Sequence, residues 1–81
     1  NGNFKIYLSS KMLNRGKSAG YSVLAQIALA PLAIIPAPAG TVIRYACKKA
    51  LTKVLMAANG PFKYGRIFTF KNKSYSSWSY Q

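Results

Sequence analysis

No Asp or Glu occurs in this chain, while Lys and Arg together number twelve. An ordinary globular domain mixes both signs of charge. Here no side-chain ion pair can form within the chain. Any fold must therefore cohere through apolar packing and backbone hydrogen bonds, against its own repulsion. The residues for that packing are present, since 51% of the sequence is hydrophobic, more than a solvated basic tail needs. The same imbalance draws the molecule to polyanions, namely nucleic acid, anionic lipid or an acidic protein.

The length fits one domain spanning residues 1–81, of a size at which a single core is marginal. With no Asp, Glu or His and one Cys, the usual metal cages cannot be assembled from one chain. General acid–base catalysis by His or a carboxylate is excluded, as are the Ser-His-Asp and Cys-His arrangements. The expectation is a protein that is no enzyme and needs no cofactor and no metal. Cys47 stands alone, so no intramolecular disulfide can form. In a secreted chain an unpaired cysteine points to a bridge to a partner chain or a second copy. The plainer reading is a small buried hydrophobe. The chain begins at Asn1 rather than Met, from which a processed, secreted product is expected.

The cations fall in zones separated by residues 18–43, which carry no charge. Phe4, Ile6 and Leu8 alternate with polar neighbours and predict a strand. Residues 11–20 are polar, contain Gly16 and Gly20, and read as a loop. Residues 21–35 are rich in Ala and Leu and predict a helix that Pro31 kinks or ends near Ala30. Residues 36–40, Pro-Ala-Pro-Ala-Gly, form a bend. Residues 41–58 predict an amphipathic helix capped by Thr41. Arg44, Tyr45, Lys48, Lys49, Thr52 and Lys53 occupy one half of its wheel. Ile43, Ala46, Cys47, Ala50, Leu51, Val54, Ala57 and Ala58 occupy the other. Asn59-Gly60-Pro61 is a stop signal.

Beyond that stop, residues 62–70 favour strand, with Phe62, Tyr64, Arg66, Phe68 and Phe70 in one phase. Residues 71–74 have turn composition. Residues 75–80 return as a second strand with Ser76, Trp78 and Tyr80 on one side. The fold class expected is α+β: a helical hairpin packed on a small antiparallel sheet, made from the N-terminal strand and a C-terminal β-hairpin in β-α-α-β-β order.

Three functional expectations follow. The first is a secreted, cationic, bacteriocin-like antimicrobial toxin that acts at a target cell membrane. It binds anionic lipid through Arg44, Lys48, Lys49, Lys53, Trp78 and Tyr80. It then permeabilises the bilayer by inserting Leu24, Ile27, Leu29, Leu32, Ile34 and Ile35 from the uncharged segment. The second is a small basic component of a larger assembly, such as a virion or a subunit associated with nucleic acid or membrane. Aromatic residues on a basic sheet offer stacking platforms for single-stranded nucleic acid, although no zinc-finger, helix-turn-helix or RNP-type pattern is present. The third is a toxin subunit joined to a partner chain through Cys47.

Overall fold

The computed structural model describes residues 3–58 and 61–81; the expected stop at Asn59-Gly60 lies outside the described residues. The element order is β1 (Phe4–Leu8), α1 (Ser10–Ala19), α2 (Tyr21–Ala28), a short 3-10 helix (Ala30–Ile34), α3 (Ala39–Ala58), β2 (Arg66–Lys71) and β3 (Ser74–Tyr80). The three strands form one antiparallel sheet in the order β1-β2-β3. The α+β fold and its helical hairpin on a three-stranded sheet are as expected.

Alternation settles which face of the sheet is covered. Directly paired residues share a face. The rows Phe4–Phe70–Tyr75, Ile6–Phe68–Trp78 and Leu8–Arg66–Tyr80 therefore lie on one side. Leu8, Phe68 and Phe70 on that side are buried, in one core with Leu13, Leu24, Leu29, Ile43, Cys47, Leu51, Leu55 and Phe62. The Phe4 and Phe70 rings stack 4.8 Å apart. On the opposite side stand Lys5, Tyr7, Ile67, Thr69, Ser77 and Ser79, with Lys5, Tyr7 and both serines exposed. Asn72 and Lys73 both have positive φ, 53° and 65°. That is the backbone of a tight two-residue hairpin turn whose twist suits the flanking strands.

The helical layer differs from expectation at its start. Residues 10–19 form a helix rather than a loop. The Ser9 hydroxyl caps it by accepting from the Met12 N–H at 3.2 Å, and Leu13 and Gly16 are buried in its inward face. Gly16 permits a close approach of α2, because a Cβ there would stand 2.6 Å from Leu24 Cδ2. Gly20 then turns the chain in one residue with φ 106°, a conformation that suits glycine.

The helix expected over residues 21–35 breaks just before Pro31, close to the expected Ala30. It ends at Ala28, and Pro31 sits at the start of the 3-10 helix that follows. α3 begins at Ala39, so Thr41 lies inside its first turn and does not cap it. Its buried seam is Gly40, Ile43, Cys47, Leu51 and Leu55, spaced four residues apart from Ile43 onward. Ala46 and Ala57 are exposed, and so are Val42, Tyr45 and Met56 beside Lys49 and Lys53. The wide apolar half-wheel is thereby corrected. The buried stripe is narrow, and the outer face mixes cations with apolar side chains.

The membrane-permeabilising reading is overturned by the same geometry. Among the described residues no helix is long and apolar enough to cross a membrane. At 1.5 Å per residue the eight residues of α2 reach only about 12 Å, against a hydrocarbon core of about 30 Å. Leu24 and Leu29 belong to the core, with Leu32 and Ile35 packed against it, while Ile27 and Ile34 are exposed. The six residues assigned to insertion thus form no common apolar face. The pore-forming, bacteriocin-like antimicrobial role goes with them.

Candidate nucleic-acid interface

At the end of the sheet remote from the hairpin turn, the covered face opens. Arg66 begins β2 in phase with Phe68 and Phe70 and faces the same way, between Leu8 and Tyr80. The helices bury Phe68 and Phe70 but leave Arg66 half-buried and Trp78 37% exposed. The Arg66 guanidinium lies 3.9 Å from the Trp78 ring centroid, 4.9 Å from Phe62 and 5.8 Å from Tyr80. A guanidinium is attracted to the negative faces of aromatic rings and is less strongly hydrated than an ammonium. Rings thus take the place of the carboxylates that the chain lacks. The Arg66 Nε is buried and, among the described residues, has no hydrogen-bond partner.

The third wall comes from residues 61–65, which lead into β2. They form a loop rather than the start of the strand expected from residue 62. Asn14 of α1 fixes this loop with a paired contact. Its Nδ2 donates to the Phe62 carbonyl at 2.9 Å, and its Oδ1 accepts from the Phe62 N–H at 2.8 Å. Phe62 is thereby held inward, edge-on to Tyr21, while Lys63 and Tyr64 are exposed beside Arg66. Gly65 approaches the chain end closely, and its carbonyl accepts from the Gln81 N–H at 2.9 Å. A Cβ at Gly65 would meet Gln81 Oε1. The result is a cleft of about 220 Å³ lined by Pro61, Phe62, Lys63, Tyr64, Arg66 and Tyr80.

The rings around this cleft touch edge to face. Trp78 and Tyr80 are 5.1 Å apart at 85°, and Tyr64 and Tyr80 are 5.8 Å apart at 76°. Tyr64 and Tyr80 are both largely exposed. The cleft therefore combines two cations, exposed phenol rings and no carboxylate side chain. It suits a ligand that is anionic in one part and planar in another.

The residues expected to act together at a lipid surface lie on two elements, α3 and β3. Tyr80 lines the Arg66 cleft, and Trp78 packs on Arg66 beside it. Arg44, Lys48, Lys49 and Lys53 lie along α3. There Arg44 Nη1 donates to the Leu32 carbonyl at 3.5 Å, and Lys49 Nζ lies 5.8 Å from the Tyr45 ring. Tyr64 belongs to the aromatic run expected to stack on bases, whereas Arg66, Lys63 and Asn14 are not among the expected site residues. For Arg66 the signal was in the sequence, because its phase with Phe68 and Phe70 already placed it on the aromatic face.

Cys47 is 1% exposed on α3, and its Sγ donates to the Lys73 carbonyl at 3.7 Å. Burial pushes its thiol pKa upward. A bridge through Cys47 would require α3 to lift from the β2–β3 turn. Among the described residues no group of three or more His, Cys, Asp or Glu could hold a metal ion. Compared with protein-family models, curated proteins and solved structures, the chain matches none of them.

Proposed function

We propose that this domain binds nucleic acid, preferring single strands, as a small basic component of a larger assembly. The observation that carries the reading is Arg66, held among Trp78, Phe62 and Tyr80 in a cleft that also contains Lys63 and Tyr64. The cations meet phosphates, and the exposed rings stack on bases. Such stacking contributes about 1–3 kcal/mol per base and tolerates any sequence. A net charge of +12 adds a long-range attraction that salt screens.

The test is an anisotropy titration of a labelled single-stranded oligonucleotide and its duplex across a salt series. The single strand is expected to bind more tightly, with log K falling linearly in log salt at a slope of about −0.7 per phosphate neutralised. Arg66→Lys keeps the charge but loses the planar stacking contact, so it is expected to lower single-strand affinity by about tenfold and duplex affinity much less. Equal affinity for both forms, unchanged by Arg66→Lys, would leave a charge-only interaction and remove the cleft from the account.

A further inference from the structure

Among the described residues, β1 is an edge of the sheet and pairs with β2 alone. Along such an edge, alternate N–H and C=O groups point away from the neighbouring strand and can template another. Proline, bulges, a covering element or lysines usually blunt an exposed edge, and Lys5 is the one such lysine in β1. β1 contains no proline, and its register with β2 is unbroken over all five residues. Beside it lies a groove of about 490 Å³, lined by every residue of β1 together with Met12, Ile27, Ala28, Pro31 and Leu32. Residues from both faces of β1 line the groove. It therefore runs along the edge of the strand rather than over one side of the sheet.

The groove continues. A cleft of about 210 Å³ shares Met12 and Ile27 with it and reaches Val23 and Arg15. The floor is apolar and open, with Ile27 59% exposed and Val23 49% exposed. The charged residues lining the two clefts, Lys5 and Arg15, are both cationic.

We infer that this edge captures an extended acidic segment of a partner protein, which adds to β1 as a fourth strand. Its backbone completes the free edge. Its apolar side chains, on alternate residues, settle against Ile27 and Met12, and its carboxylates, on the other residues, meet Lys5. Strand addition draws affinity from main-chain hydrogen bonds and specificity from alternate side chains. The opposite charge is what selects this occupant. A second copy of the chain would bring twelve further cations against the first, and like-charge contact is costly. A nucleic-acid strand offers no peptide groups to pair with the edge. The inference is independent of the Arg66 cleft and stands or falls separately from it.

The probe is a capped synthetic peptide of about eight residues alternating Glu and Val, added to the full chain and followed by anisotropy and by hydrogen exchange at individual amides. Saturable binding is expected, with the outward amides of β1 slowed by tenfold or more. Lys5→Glu and Ile27→Glu both alter exposed side chains; each is expected to weaken binding by about tenfold while the unliganded exchange pattern stays intact. A peptide N-methylated at alternate residues is expected not to bind. Three results would overturn the inference. An all-Glu peptide could bind equally well. The footprint could fall on α3 or the Arg66 cleft instead of β1. Protection of β1 could grow with protein concentration alone, which would assign the edge to a second copy.

Discussion

Two side chains show how local environment decides chemistry in a chain with no acids. Arg66 has no carboxylate to pair with, and its charge is instead placed against three rings. Cys47 is drawn the other way. Burial raises its pKa, so at neutral pH it is a protonated, shielded thiol and a poor nucleophile. The folded state holds that proton more tightly than the unfolded state. The associated stability is present below the ordinary thiol pKa and is lost as pH rises through the raised one. Alkylation of Cys47 by iodoacetamide is accordingly expected to be slow in the native protein and to accelerate at least about tenfold in denaturant. Tyr75 shifts in the same direction, through burial, with Arg66 opposing the effect. Its contribution fades with rising pH in the same sense.

Among the elements, the join between α1 and the loop at 61–65 matters most for the site. Asn14 and Phe62 are 48 positions apart, and their two hydrogen bonds replace backbone pairing that the loop would otherwise lack. Asn14→Ala removes both and is expected to cost about 1–3 kcal/mol in urea unfolding. It should also weaken single-strand binding, because Lys63 and Tyr64 lose their anchor. An effect on stability without one on binding would show that the loop is not part of the site.

Local signals made the strands, the hairpin turn and α3 legible in the sequence: alternation around Phe4, Ile6 and Leu8, turn composition at 71–74, and the Ile43–Cys47–Leu51 spacing. α1 was hidden because its polar composition and its glycine suggested a loop. Gly16 is in fact buried against Leu24, a contact that only the packed structure reveals. The aromatic half of the cleft was legible from Trp78 and Tyr80. Its third wall was not, since a side-chain amide distant in sequence positions it.

For the whole molecule, the absence of acids sets both stability and purpose. Twelve like charges on a chain whose Cα radius of gyration is 12.1 Å repel one another at every separation within a Debye length. Raising salt from low to physiological ionic strength is expected to raise Tm by a few degrees, as screening relieves this repulsion. A salt-independent or falling Tm would mean that the charges are not a net burden. An anionic ligand should relieve the same strain and stabilise by mass action. Insertion across a bilayer fails because the uncharged segment that suggested it is divided between the core and a short helix that Pro31 does not continue. What remains directed outward is the cationic and aromatic surface.

The chain has one tryptophan, and it lies 3.9 Å from the Arg66 guanidinium, so its emission reports on the surroundings of Arg66. Titration with an unlabelled single-stranded oligonucleotide at low salt is the most direct test. The account predicts saturable quenching of Trp78 with the same midpoint as anisotropy, reversed by added salt. Binding by anisotropy with Trp78 emission unchanged, or no binding at all, would contradict it.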